Sequence, residues 1–149
     1  MALQSGVMQA HAIRIAAGED LVSSVVNAAT EAMKSSGSRS AFVVSAVGSL
    51  QSAKLRLANV SKPDGTSSND IKEWTERLEI VSLVGTFSAD GMHLHMSVSD
   101  KSGNVFGGHV MAGKIFTTLE LVLGTVDNVA FSREIDNKTG FDELVVRRM

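Results

Sequence analysis

Three histidines are the residues of this sequence whose types and spacing most clearly predict chemistry. His93 and His95 are separated by one residue in the stretch Met92–Val98, where apolar and polar side chains alternate. On a β-strand this alternation places both histidines on the face opposite the apolar residues. Their side-chain roots would then be about 6.6 Å apart, and both imidazoles could lean onto one ion. We therefore predict that this pair binds a metal ion.

A third ligand is predicted on the next strand. Gly107 and Gly108 precede His109 after a short turn, so this histidine can lie across from the first pair. Two glycines within a strand indicate a bulge or a close approach to the backbone. Three neutral imidazoles leave one position of a tetrahedral zinc ion open, although iron, nickel and copper also suit imidazole. The alternative is that His93 and His95 face solvent and His109 is a hydrogen-bonded interior residue.

Other motifs leave the reaction undefined. The spacing of Gly108 to Lys114 matches a phosphate-binding loop, but Ile115 stands where a serine or threonine is required. No serine lies in a nucleophile-elbow pattern. His11 is interpreted as a structural residue. Trp74 is expected to anchor the segment 70–77 onto the domain, and the alternative is a role at an interface.

The composition excludes several classes of function. The 149 residues include no cysteine, which rules out disulfides, thiolate metal ligands and a catalytic thiol, and predicts a reducing, cytoplasmic compartment. Fourteen basic and sixteen acidic side chains give a net charge of −2, which disfavours direct nucleic-acid binding. No apolar run approaches the roughly 20 residues that span a bilayer, so no membrane association is expected.

The apolar periodicity predicts one α+β domain over residues 1–149, with an antiparallel β-sheet and one main α-helix packed on it. Residues 21–33 have helical spacing. Residues 1–10 are expected to be a flexible N-terminus and residues 61–72 a mobile loop. Strands are predicted at 11–16, 41–47, 55–60, 78–87, 92–99 and 105–116, with weaker candidates at 119–123, 129–135 and 144–146, the first of which could equally be a helical turn.

Several separate stretches, in this order, resemble the PPC domain that is conserved in plants and prokaryotes. They are His11–Ile15 with Gly18–Leu21, Ser45–Ser49, Leu78–Gly85, His93–His95 and Gly107–His109. The resemblance implies an α+β fold, a metal site at His93, His95 and His109, and a homotrimer. Apolar strands such as Ala41–Val47 would be covered in such an assembly.

The resemblance leads to two hypotheses about function. Plant members carry an AT-hook with an Arg-Gly-Arg-Pro core, which is absent here, so this chain is similar to the free-standing prokaryotic type, whose role is generally unknown. One hypothesis is a homo-oligomeric protein that binds one divalent metal, most simply zinc. The alternative is a scaffold or regulatory protein-interaction module without catalysis, linked to DNA-binding or transcription-related partners.

Overall fold

The computed structural model describes residues 3–58 and 69–149, which form one helix and eight strands. The α+β class with an antiparallel sheet is confirmed. In chain order the elements are β1 (Met8–Ala16), α1 (Leu21–Ser36), β2 (Ala41–Arg56), β3 (Ile71–Trp74), β4 (Leu78–Ser88), β5 (Gly91–Ser99), β6 (Val105–Val126), β7 (Val129–Ile135) and β8 (Asp142–Arg148).

The helix α1 has clear signals at both ends. Asp20 caps its N-terminus by accepting a 2.8 Å hydrogen bond from the Ser23 backbone N–H. Gly37 ends it with φ at 66°, a left-handed conformation that glycine adopts without steric cost. Its buried face packs mainly on β6, and the buried residues of that face are Leu21, Val25, Ala29 and Ala32. The predicted helix is confirmed and continues to Ser36.

Four strands of the main sheet pair in a closed circuit. β2 pairs with β4, β4 with β5, β5 with β6, and β6 again with β2, all antiparallel. β1 adds to β6 and β3 adds to β2 as outer strands. The core is formed by apolar side chains from these strands and the helix, and its largest fully buried members include Leu50, Leu94, Met96, Ile115 and Leu121.

Two predicted strand pairs are each one continuous strand. The segments 41–47 and 55–60 are predicted as separate strands, but β2 runs unbroken from Ala41 to Arg56. Leu57 and Ala58 do not belong to it, and residues 59–60 lie outside the described residues. The candidates 105–116 and 119–123 likewise both belong to β6, which excludes the helical turn. Register shifts in the β2–β6 pairing bend the strands without ending them, so the pairing with β6 overrides the weak local strand propensity in the middle of β2.

The prediction of two flexible segments, residues 1–10 and 61–72, is partly wrong. β1 begins at Met8, so residues 8–10 of the expected tail are paired with β6. Residues 71–72 of the expected loop belong to β3, while residues 61–68 lie outside the described residues. Trp74 stacks on Phe106 with ring centroids 4.4 Å apart, which confirms its anchoring role and explains why β3 is held against the domain.

The strands β7 and β8 form a separate two-stranded sheet. It contacts β4, and the Phe131 backbone N–H donates a 3.0 Å hydrogen bond to the Arg39 carbonyl. This hairpin brings residues near the end of the chain beside β5. Within the described residues, no helix is long and apolar enough to cross a membrane.

Candidate metal centre

The alternation of β5 is confirmed. His93 and His95 are exposed, whereas Leu94, Met96 and Val98 are buried. The buried set anchors the strand in the core, and this fixes the side on which the histidines project. The local sequence therefore directs both imidazoles away from the interior.

Strand pairing brings the third histidine to the pair. His95 lies directly opposite His109 in the antiparallel β5–β6 register, and directly opposed residues project from the same face. The ring centroids are 4.8 Å apart for His93 and His95, 5.1 Å for His93 and His109, and 5.5 Å for His95 and His109. The predicted position of His109 across from the pair is thus observed.

The three imidazoles converge on one place at the sheet face. One nitrogen from each ring lies within 4.8 Å of the others, and Nε2 of His93 is 3.0 Å from Nε2 of His95. Two nitrogens bound to one tetrahedral zinc ion at 2.0–2.1 Å would be about 3.3 Å apart. The donor set and the close approach of His93 to His95 suit a divalent ion, which would draw the third ring nitrogen closer to the pair, and the ligand roles of these residues stay a prediction.

One nitrogen at the site lacks a partner. Of the buried side-chain nitrogen and oxygen atoms in residues 3–58 and 69–149, Nδ1 of His109 is the one without a hydrogen-bond partner. A buried polar atom left in this state costs about 1–3 kcal/mol. An ion bound through this nitrogen would remove that cost, so the unpartnered atom supports the fit.

The electrostatic environment keeps two of the rings neutral. Burial lowers the pKa of His109 to about 4, with Arg56 and the other two histidines acting in the same direction. The pKa of His93 is also lowered, first by burial and then by His95 and Arg133. Neutral imidazole is the form that binds metals, so these two rings are prepared for ligation at neutral pH.

Glycines near the site allow close strand approach. A Cβ at Gly107 would lie 2.5 Å from the Met96 carbonyl oxygen, and one at Gly108 would lie 2.5 Å from that of Arg56. The interpretation of the two glycines as a close approach is therefore confirmed. Because they precede His109 directly, they let β6 lie tightly between β5 and β2 at the site.

Sequence reasoning missed the residues around the histidines. A cavity of about 380 Å³ beside them is lined by residues from five parts of the chain. Its charged members are Arg56, Asp90, Arg133, Asp142 and Glu143, and Met92 and Phe141 add apolar surface. No local signal marked them, because the end of β2 and the β7–β8 hairpin meet β5 through tertiary packing alone.

The other motifs have structural explanations. His11 lies on β1, where its Nε2 is 2.9 Å from the Thr125 hydroxyl, as expected of a structural histidine. The segment Gly108 to Lys114 lies entirely within β6. It therefore lacks the strand-to-helix turn of a phosphate-binding loop.

The family comparison covers most of the chain. Residues 3–127 match the model of the Plants and Prokaryotes Conserved (PCC) domain. The chain is 37% identical over 148 residues to the bifunctional protein GlmU of Synechococcus sp. (strain JA-3-3Ab), covering 99% of this chain and 22% of that protein. It is 31% identical over 108 residues to AT-hook motif nuclear-localized protein 13 of Arabidopsis thaliana, covering 67% of this chain and 22% of the relative. It thus spans about a fifth of the length of these curated relatives.

Solved structures have the same fold. A hypothetical protein from Salmonella cholerae-suis superposes with a TM-score of 0.84 at 30% identity, covering 97% of each chain. A metal-containing protein from Archaeoglobus fulgidus superposes with a TM-score of 0.78 at 25% identity, covering 97% of this chain and 99% of that one. With the matched residues including all three histidines, the chain belongs to the Plants and Prokaryotes Conserved domain family, the PPC domain named above.

Proposed function

We propose that this protein binds one divalent metal ion, most simply zinc, through His93, His95 and His109. The observation that carries the proposal is the convergence of three ring nitrogens within 4.8 Å of one another. The unpartnered Nδ1 of His109 and the metal-containing Archaeoglobus relative support it. The ion would supply a Lewis acid with one open position.

Metal analysis of protein purified without an affinity tag tests the site. We expect about one zinc ion per chain in the wild type and almost none in His95→Ala, because two imidazoles hold zinc far less tightly than three. The matched control is His11→Ala, which removes a histidine that lies on β1 and should leave the metal content unchanged. Equal metal content in wild type and His95→Ala would contradict the proposal.

We also propose that the protein self-associates as a homotrimer. Large apolar side chains are exposed on the outer faces of the strands, which is unfavourable in a monomer; they include Ile13 at 45%, Val44 at 48%, Val47 at 60% and Val81 at 54% exposure. A closed three-fold assembly would cover such surfaces without leaving free edges.

Sedimentation equilibrium should then give about three times the 15.8 kDa chain mass. Val47→Asp should dissociate the assembly, since a charge buried in an apolar interface has no partner, whereas Val47→Ile should not. A folded wild-type monomer at micromolar concentration would refute the proposed trimer.

The second candidate function is a scaffold or regulatory module. It is favoured by the similarity to the AT-hook motif nuclear-localized protein and by the outer strands β1 and β3, each of which has one edge without a strand partner among residues 3–58 and 69–149. A pull-down with wild type and His95→Ala separates the two functions. A stoichiometric protein partner retained by the metal-site variant would favour the scaffold. Any DNA binding should be weak and salt-sensitive at a net charge of −2.

A further inference from the structure

Two arginines flank the candidate metal centre on the face from which the histidines project. Arg56 lies directly opposite His109 in the β2–β6 pairing, so the two side chains share one face. Arg133 reaches the site from β7, where its Nη2 donates a 2.8 Å hydrogen bond to the Thr86 hydroxyl. Thr86 in turn lies directly opposite His93 on β5. The two guanidinium groups therefore approach the three histidines from different strands.

Both arginines line the cavity of about 380 Å³ that also contains His93 and His109. Within the described parts of the chain, neither Arg56 nor Arg133 forms an ion pair, whereas Arg147 of the β7–β8 hairpin pairs with Glu134. Each guanidinium group would repel a metal ion held by the histidines, and an anion lying between these cations would offset that repulsion.

We infer that this cavity binds a small molecule with a single carboxylate, held by Arg56 and Arg133 and by the metal position that the three histidines leave open. The inference rests on the metal-binding function proposed above. Guanidinium groups bind carboxylates through paired, charge-assisted hydrogen bonds. An oxygen of the same carboxylate is also a suitable zinc ligand.

The charges of the cavity favour one negative charge over two. Two arginines and three acidic residues line it, so the side chains sum to −1 and a divalent ion brings the total to +1. A monocarboxylate balances this charge, whereas a phosphate dianion exceeds it. The volume lies within the range of small-molecule sites, roughly 300–1,000 Å³, and Met92 and Phe141 offer apolar contacts to a short carbon chain.

The test is a titration of the full-length, Co²⁺-loaded protein with sodium acetate, followed by the visible absorption of the bound ion. Inorganic phosphate and neutral acetamide are titrated in parallel. The variants are Arg56→Gln and Arg133→Gln, and the matched control is Arg148→Gln, which removes the same charge from the hairpin but does not line the cavity. The metal content of every sample is measured first.

We expect saturable acetate binding to wild type and Arg148→Gln. In Arg56→Gln and in Arg133→Gln the acetate affinity should fall by about tenfold or more, with metal content unchanged. Acetamide should not bind and phosphate should bind more weakly than acetate. One metal ion per chain without arginine-dependent acetate binding would overturn this inference alone, as would tighter binding of phosphate. A protein that takes up no metal would refute the metal site and this inference together.

Discussion

Replacing His109 by leucine should stabilise the metal-free protein and abolish its metal binding. Nδ1 of His109 is buried without a hydrogen-bond partner, and an unsatisfied buried polar atom costs about 1–3 kcal/mol. Leucine removes this atom and keeps apolar volume. Because the ring is only partly buried, we expect the lower end of that range, an increase of about 1 kcal/mol in the free energy of unfolding.

Added zinc should reverse the order of the two proteins. A ligand present at 100 times its dissociation constant stabilises the folded state by about 2.7 kcal/mol. The wild type should gain this amount, whereas His109→Leu should gain almost none. The variant would then be the more stable protein in the presence of a chelator and the less stable one in zinc.

The matched control is His11→Leu, which should lower the free energy of unfolding of the metal-free protein, opposite to His109→Leu. Its Nε2 is 2.9 Å from the Thr125 hydroxyl, and Thr125 is 1% exposed. Leucine would leave that hydroxyl unsatisfied and should destabilise the protein by about 1–3 kcal/mol, with the zinc response intact. Urea unfolding followed by circular dichroism, at one protein concentration with either chelator or zinc, measures all three proteins. Destabilisation of metal-free His109→Leu, or a full zinc response in that variant, would refute the reasoning.

Three further predictions concern the strands and charges around the site. The metal-free protein should lose stability as the pH falls from 6.5 towards 4, because the pKa of His109 is about 4 in the folded state and near 6.5 in the unfolded state, so that the unfolded chain binds more protons. The full shift corresponds to about 3 kcal/mol in the free energy of unfolding, of which solvent screening should leave about half, and urea unfolding at each pH measures it. Gly85→Ala should lower both stability and zinc affinity, because the new Cβ would collide with the His93 carbonyl oxygen. Gly48→Ala, whose Cβ would collide with the backbone of β6 instead, should lower stability alone, and equal zinc affinities of the two variants by competition titration would contradict this. Leu94→Ala should cost about 2–5 kcal/mol in unfolding free energy because the side chain is 1% exposed, and a cost below 1 kcal/mol would show that β5 is not anchored as described.

Local sequence was sufficient to predict the elements whose residues carry a strong period. The apolar alternation of β5 placed His93 and His95 together on the outer face, and the helical spacing of residues 21–33 predicted α1. His109 was predicted as the third member because a short turn leaves few antiparallel registers between β5 and β6. These inferences depend on side-chain periodicity and chain connectivity, both of which are local properties.

Only the tertiary structure decided the continuity of the long strands and the surroundings of the histidines. β2 continues through the weak strand formers between Gly48 and Lys54 because it pairs there with β6, and β3 is held by the stacking of Trp74 on Phe106. Arg56 and Arg133 are 77 residues apart in sequence and line the same cavity, because the end of β2 and the C-terminal hairpin approach β5 from different directions. Contacts of this kind depend on the packing of whole elements, which no local pattern of residue types specifies.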